Sequence, residues 1–141
     1  MSADLNYTLK RAVNGLISDN HTVKRGYFLV TVDVLNRFKK QIELVKLIKF
    51  VRKETKTSAT MKNPEVHAMV LGQMMCLTAI VDSQIYQVSP SQLNQEGLSL
   101  LLEDLVQLYQ AYDFIRESLQ TVFSRMLSRF SSDSQGVKVL E

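Results

Sequence analysis

Residues 101–126 read LLEDLVQLYQAYDFIRESLQTVFSRM, a stretch in which apolar side chains recur at alternating steps of four and three residues. This spacing places them along one side of an α-helix. The pattern therefore predicts a long C-terminal helix from about Gln95 to Phe130. Such a helix packs its apolar side inside a bundle or pairs it with a second chain. We call the apolar positions the seam: Leu101, Leu105, Leu108, Tyr112, Ile115, Leu119, Val122 and Met126.

Two stretches nearer the N-terminus also carry clear helix signals. The first runs from about Ala3 to Ser18, with Ser2 as its expected N-cap, and ends in a polar turn. The second begins at Asn63-Pro64-Glu65, where the asparagine is expected to cap the helix, the proline has a preset φ, and the glutamate meets the positive end of the helix dipole. The apolar side of this second helix is predicted to continue as far as Val88.

The segment 27–53 is ambiguous between strand and helix. Its first residues, YFLVTVDV, are rich in β-branched and aromatic side chains, which is typical of a strand. Apolar residues nevertheless continue at helical spacing to Val51 without a glycine or proline, and the one candidate partner strand is 137–140. We therefore predict a helix, with a strand over 27–34 as the alternative.

The composition favours helices, because five glycines and two prolines among 141 residues leave few breakers. The predicted fold class is all-α, an up-and-down bundle of four to five helices with a long C-terminal helix. Residues 1–130 are expected to form one helical-bundle domain, and residues 131–141 a flexible polar tail. We expect neither a signal peptide nor a transmembrane segment, and hence a cytoplasmic or nuclear protein.

Charge is distributed unevenly along the chain. Residues 1–62 hold 13 Lys and Arg against 5 Asp and Glu, whereas residues 63–141 hold 4 against 9. The positive charges either pair with acidic helices of the same bundle, steer an acidic partner subunit, or bind a polyanion. Those between positions 37 and 62 are Arg37, Lys39, Lys40, Lys46, Lys49, Arg52, Lys53, Lys56 and Lys62.

The sequence offers no recognisable catalytic set. His21 and His67 lack further ligands at zinc-site spacing, and no glycine-rich phosphate loop or hydrolase motif occurs. The single cysteine, Cys76, lies in an apolar run and is expected to be a buried, inert side chain. We therefore predict a protein that is not an enzyme, with no catalytic residues, no metal, no cofactor and no small-molecule substrate.

Three functions remain open. The leading hypothesis is a helical protein–protein interaction or assembly protein, such as an adaptor, a chaperone-like subunit or a scaffold component, which self-associates or binds a partner through the seam. The first alternative is a module that binds nucleic acid or anionic lipid through the basic segment 37–62. The second alternative is a structural subunit of a filament or shell, built by contact between the unlike halves.

Overall fold

The computed structural model describes residues 3–18, 20–89 and 92–130, and it confirms an all-α bundle. A small hairpin joins two of the helices: β1 (Gln87–Ser89) pairs antiparallel with β2 (Gln92–Leu93). The predicted cap Ser2, the predicted tail 131–141 and the candidate strand 137–140 lie outside the described residues. The helices are α1 (Ala3–Leu16), α2 (His21–Arg37), α3 (Leu44–Glu54), α4 (Asn63–Ser83), α5 (Gln95–Ala111) and α6 (Arg116–Phe130).

The ambiguous segment is helical, but it forms two helices instead of one. α2 begins after Asn20, whose side-chain oxygen accepts the backbone N–H groups of Thr22 and Val23 at 2.9 and 3.1 Å. It ends at Arg37, and a short 3₁₀ turn leads to α3. No glycine or proline marks this break. The chain turns where Ile42 can enter the core, so packing overrides local propensity and adds a helix to the predicted four to five.

The prediction of one continuous C-terminal helix is wrong. Tyr112 adopts an extended backbone (φ −132°, ψ 111°), and a 3₁₀ turn over Asp113–Ile115 separates α5 from α6. Arg116 secures this corner, because its Nε donates to the Tyr109 carbonyl at 2.8 Å and its Nη1 pairs with Asp113 at 2.9 Å. The guanidinium thereby satisfies a carbonyl at the end of α5 that has no partner within the helix.

Both ends of α4 differ slightly from the prediction. The helix already includes Asn63, so Lys62 takes the cap position and makes no side-chain capping bond. At the other end Gln84 is left-handed, with φ 55°, and stops the helix before Val88, which is 63% exposed. By length and composition α4 would suffice to cross a membrane. Half of its apolar window is buried in the bundle, as in the core helix of a folded domain, so this is insufficient evidence for a span.

Each helix contacts at least two others in the bundle. α4 contacts both α1 and α2, and α5 contacts both α3 and α4. Glycines permit the closest approaches: a Cβ on Gly72 of α4 would lie 2.6 Å from a side-chain carbon of Ile17, just after α1. At Gly97, near the start of α5, a Cβ would overlap the side chain of Leu44. These positions fix how closely neighbouring helices approach.

We expect Gly97→Ala to lower the free energy of unfolding by about 2 kcal/mol, because the added methyl group displaces buried Leu44. Gly26→Ala is the matched control. Nothing lies within 4 Å of a Cβ at this exposed position in α2, so the change should stabilise the helix by about 0.5–1 kcal/mol. Urea denaturation of both variants measures the difference, and equal effects would contradict the packing at Gly97.

Candidate functional site

The seam lies inside the bundle. Tyr112 is half-buried at the corner between α5 and α6, and the other seven seam residues belong to the main apolar core. The predicted periodicity therefore describes packing within this chain. In this fold the seven buried seam residues present no surface to a second chain, so they are not available to bind a partner. The buried members are Leu101, Leu105, Leu108, Ile115, Leu119, Val122 and Met126.

One of the predicted basic residues, Arg52, forms an ion pair between two helices. The guanidinium of Arg52 on α3 donates to both carboxylate oxygens of Asp104 on α5, with distances of 2.6 to 3.0 Å. The Asp104 side chain is 4% exposed and that of Arg52 is 38% exposed. The hydrogen bond to Asp104 raises the pKa of Arg52. Arg52 thus joins the basic half of the chain to the acidic half, as the intramolecular interpretation of the charge expects.

Other members of the basic set make local surface pairs. Arg37 Nε lies 2.9 Å from Asp33, and Lys46 Nζ lies 3.1 Å from Glu43, each within a turn of helix or at its edge. Pairs this exposed contribute little stability and are readily exchanged for another anion. Lys39 is half-buried in the 3₁₀ turn after α2, and Lys40 beside it is exposed. The predicted basic residues therefore lie in different environments and do not all belong to one surface.

A lysine face emerges on α3. This helix is strongly amphipathic, since Leu44, Leu47, Ile48 and Val51 are buried against the core. The opposite side exposes three lysines at steps of three and four residues, spaced over roughly 10 Å of helix axis. We call them the lysine face: Lys46, Lys49 and Lys53.

Two further exposed lysines lie in the segment of chain between α3 and α4. Lys56 follows α3 and Lys62 precedes α4, and both are exposed. Among the described residues, no carboxylate lies within ion-pair distance of Lys49, Lys53, Lys56 or Lys62. Their ammonium groups therefore face solvent with their positive charge uncompensated at close range. Of the nine predicted basic residues, five are exposed on α3 or in the segment that joins α3 to α4: Lys46, Lys49, Lys53, Lys56 and Lys62.

The aromatic residues of the basic half are mostly packing residues. Phe28 and Phe50 are partly buried against the second apolar cluster, which contains Val13, Leu16, Val51 and Cys76. Phe38 differs, because it is 38% exposed at the end of α2. A ladder of exposed rings for stacking nucleic-acid bases is therefore not formed by these three phenylalanines.

Two of the remaining candidates for chemistry, Cys76 and His67, pack against other side chains. Burial raises the pKa of the Cys76 thiol to about 12, which suppresses the reactive thiolate. His67 stacks on Phe114 with ring centroids 4.2 Å apart, and His21 is exposed at the start of α2. Within residues 3–18, 20–89 and 92–130, no group of three or more His, Cys, Asp or Glu side chains is arranged to hold a metal ion.

Asp82, a partly buried carboxylate on α4, is held by two arginines of α6. Arg125 Nη1 lies 3.0 Å from it and Arg129 Nη2 lies 3.6 Å from it. Arg129 also donates to the carbonyl of Val81 at 2.7 Å. These contacts attach α6 to the end of α4. Local sequence patterns carry no signal for them, because the partners are 43 or more positions apart.

A family model described as DNA polymerase phi matches residues 7–141, which is all but the first six residues. The chain belongs to the DNA polymerase phi family. The match to this family includes most of α1 and every later helix, with the lysine face and the Arg52–Asp104 pair. No curated protein and no solved structure shows significant similarity to the chain.

Proposed function

We propose that this member of the DNA polymerase phi family is a non-catalytic helical module that binds the phosphate backbone of nucleic acid through its lysine face. The observation that carries the proposal is the exposed alignment of Lys46, Lys49 and Lys53 on one rigid helix. The family name, which refers to a DNA polymerase, supports nucleic acid as the polyanion. An intracellular, nuclear location accords with this function.

The lysine face suits phosphate binding without base recognition. Lysine presents a compact ammonium on a flexible stem, which accepts phosphates at varied positions along a strand. Each phosphate that is neutralised releases counterions, so the resulting affinity falls steeply as salt is added. The ordered aromatic ladder that single-strand stacking requires is not built by Phe28, Phe38 and Phe50. We therefore expect binding that depends strongly on salt and weakly on sequence.

The surroundings of the acidic side chains support a non-catalytic role. Metal-dependent phosphoryl transfer relies on carboxylates that converge on metal ions. In the described part of the chain, the carboxylates of Asp82 and Asp104 face arginines of neighbouring helices instead. These two carboxylates thus form ion pairs that connect helices of the bundle.

We expect the triple variant Lys46→Gln, Lys49→Gln, Lys53→Gln to bind DNA at least about tenfold more weakly than the parent chain. The slope of log K against log salt should also become shallower by about 0.9 for each phosphate that the variant no longer neutralises. Fluorescence anisotropy with a labelled mixed-sequence DNA duplex at several salt concentrations measures both quantities. Circular dichroism verifies that the helices are retained.

A second variant that removes the same number of positive charges elsewhere distinguishes two causes of weaker DNA binding. One is the loss of charge from the lysine face, and the other is the lower net charge of the chain. Lys10→Gln, Arg11→Gln, Arg25→Gln removes three exposed positive charges from α1 and α2 and should retain most of the affinity. Equal weakening in both triple variants would show that net charge alone drives binding. Undiminished DNA binding by the variant with Lys46, Lys49 and Lys53 replaced would refute the proposal that the lysine face binds DNA. Binding to vesicles containing phosphatidylserine, without binding to DNA, would instead identify an anionic membrane as the target.

A further inference from the structure

The segment that joins α3 to α4, residues 55–62, presents two hydroxyl groups to solvent. Ser58 and Thr60 are both exposed, and their side-chain oxygens lie 3.0 Å apart. The backbone N–H of Met61 donates to the carbonyl of Ser58 at 3.1 Å, which closes a turn over residues 58–61. Elsewhere in residues 3–18, 20–88 and 92–130, the exposed serines and threonines all lie in helices.

Exposure outside a helix makes a hydroxyl group accessible to an enzyme that modifies it. Such an enzyme must bring the oxygen into line with the group to be transferred, so the substrate's backbone has to enter a cleft. A hydroxyl on a helix is held away from such a cleft by the helix itself, and that of Thr8 also donates to the carbonyl of Asp4 at 2.9 Å. Ser58 instead lies in a connecting segment, the part of a fold that other enzymes reach first.

Lysines lie on both sides of Ser58 along the chain. Lys53 and Lys56 precede it by five and two residues, and Lys62 follows it by four. All three are exposed, and no carboxylate of the described residues lies within ion-pair distance of them. Two residues span at most about 7 Å of chain, so Lys56 lies within the screening length of about 10 Å at 0.1 M salt. A negative charge on Ser58 would therefore offset positive charge beside the end of the lysine face.

We propose that Ser58 is a phosphorylation site, and that its phosphorylation by a kinase that recognises basic residues weakens the binding of nucleic acid to the lysine face. In this reaction the Ser58 oxygen forms a bond to the γ-phosphorus of ATP, the bond from that phosphorus to its bridging oxygen breaks, and ADP leaves. The hydroxyl proton passes to the catalytic aspartate of the kinase. The effect on nucleic acid rests on the proposed function, whereas the modification itself does not.

The same lysines serve recognition and regulation. Lys53 and Lys56 attract a kinase whose substrate groove is acidic, because charge patterns before the acceptor serine set kinase specificity. The phosphoserine then carries about −1.5 to −2 charge at pH 7, which repels the phosphates of DNA and pairs with nearby ammonium groups. Five exposed lysines lie on α3 and in the segment after it, so the loss of up to about two positive charges removes much of the attraction.

Incubation of the full chain with magnesium ATP and a purified serine/threonine kinase that prefers basic residues before the acceptor tests the site. We expect peptide mass spectrometry to find a phosphoryl group on Ser58, and to find none at this position in the Ser58→Ala variant. Thr60→Ala is the matched control, because its hydroxyl lies 3.0 Å away in the same turn and its loss should leave modification of Ser58 unchanged. Ser58 without phosphate in the parent chain, or phosphate on Thr60 in its place, would overturn the assignment.

Phosphoserine introduced at position 58 during protein synthesis measures the effect on binding without a kinase. We expect the chain phosphorylated on Ser58 to bind a labelled DNA duplex about tenfold more weakly than the parent chain at 0.1 M salt. The slope of log K against log salt should become shallower by up to about 1.8. Phosphoserine in place of Ser124 is the charge-matched control, because this serine is exposed on α6, and its phosphorylation should change the affinity by less than about twofold.

The outcomes distinguish this inference from the proposed function. If the parent chain binds DNA and the lysine-face variant binds more weakly, but phosphoserine at position 58 changes nothing, the proposed function stands and the regulatory role of Ser58 is overturned. Equal weakening by phosphate at positions 58 and 124 would also overturn that role, because net charge alone would explain it. If the parent chain does not bind DNA, the proposed function and the regulatory role both fail, and mass spectrometry alone decides whether Ser58 is a phosphorylation site.

Discussion

Replacing Leu105 with alanine should lower the free energy of unfolding by about 3 kcal/mol, because the change leaves a cavity in the centre of the bundle. Leu105 is fully buried in α5 and belongs to the seam. α5 contacts α3, α4 and α6, and side chains held in a close-packed core close such a cavity only partly. Urea denaturation followed by circular dichroism gives the value.

The same experiment separates packing within one chain from pairing between chains. Leu127→Ala is the control, because this leucine is 56% exposed and the change should alter stability by no more than about 0.5 kcal/mol. If the seam packs within the chain, the denaturation midpoint of the parent protein is independent of protein concentration. The denaturation midpoint of the parent protein could instead rise with protein concentration, and this dependence could be lost in the Leu105→Ala variant. That result would show that the seam forms an interface between two chains.

Arg52→Met should destabilise the protein by about 3 kcal/mol, more than Asp104→Asn, for which about 1 kcal/mol is expected. The asymmetry follows from burial. Without Arg52, the carboxylate of Asp104 stays almost fully enclosed and loses its counter-charge. Without the Asp104 charge, the partly exposed guanidinium of Arg52 turns towards water. Chemical denaturation of the two single variants shows which one has the lower free energy of unfolding.

The double variant Arg52→Met, Asp104→Asn completes this test. Its decrease in stability should be smaller than the sum of the two single decreases, because the remaining amide carries no buried charge. An Asp104→Asn variant that is less stable than Arg52→Met would contradict the burial argument. Additive decreases would show that the two side chains act independently, despite their hydrogen bonds of 2.6 to 3.0 Å.

Much of the core could be predicted from local pattern. The buried positions Val70, Leu77 and Val81 of α4 follow the predicted spacing, because a helix presents residues three and four apart to the same side. The seam is predictable for the same reason, although the leading hypothesis placed it at a partner surface. Periodicity identifies which side chains avoid water, but it does not state whether the same chain or another one covers them.

The candidate site could be predicted only in part. The nine basic residues are evident in the sequence, and amphipathic spacing along α3 is enough to separate Lys46, Lys49 and Lys53 from the buried side. The pairing of Arg52 with Asp104 could not be foreseen, since 52 positions separate the partners.

Taken alone, the order of residues specifies an all-helical chain, the apolar side chains that form its core, and the concentration of positive charge in its first half. These properties follow from residue spacing and composition, which act over one or two helical turns. The packed fold was needed to establish the turns at residues 38–43 and 112–115 and the Arg52–Asp104 pair. Each of these depends on which helices meet, and that is settled by packing between residues distant in the chain.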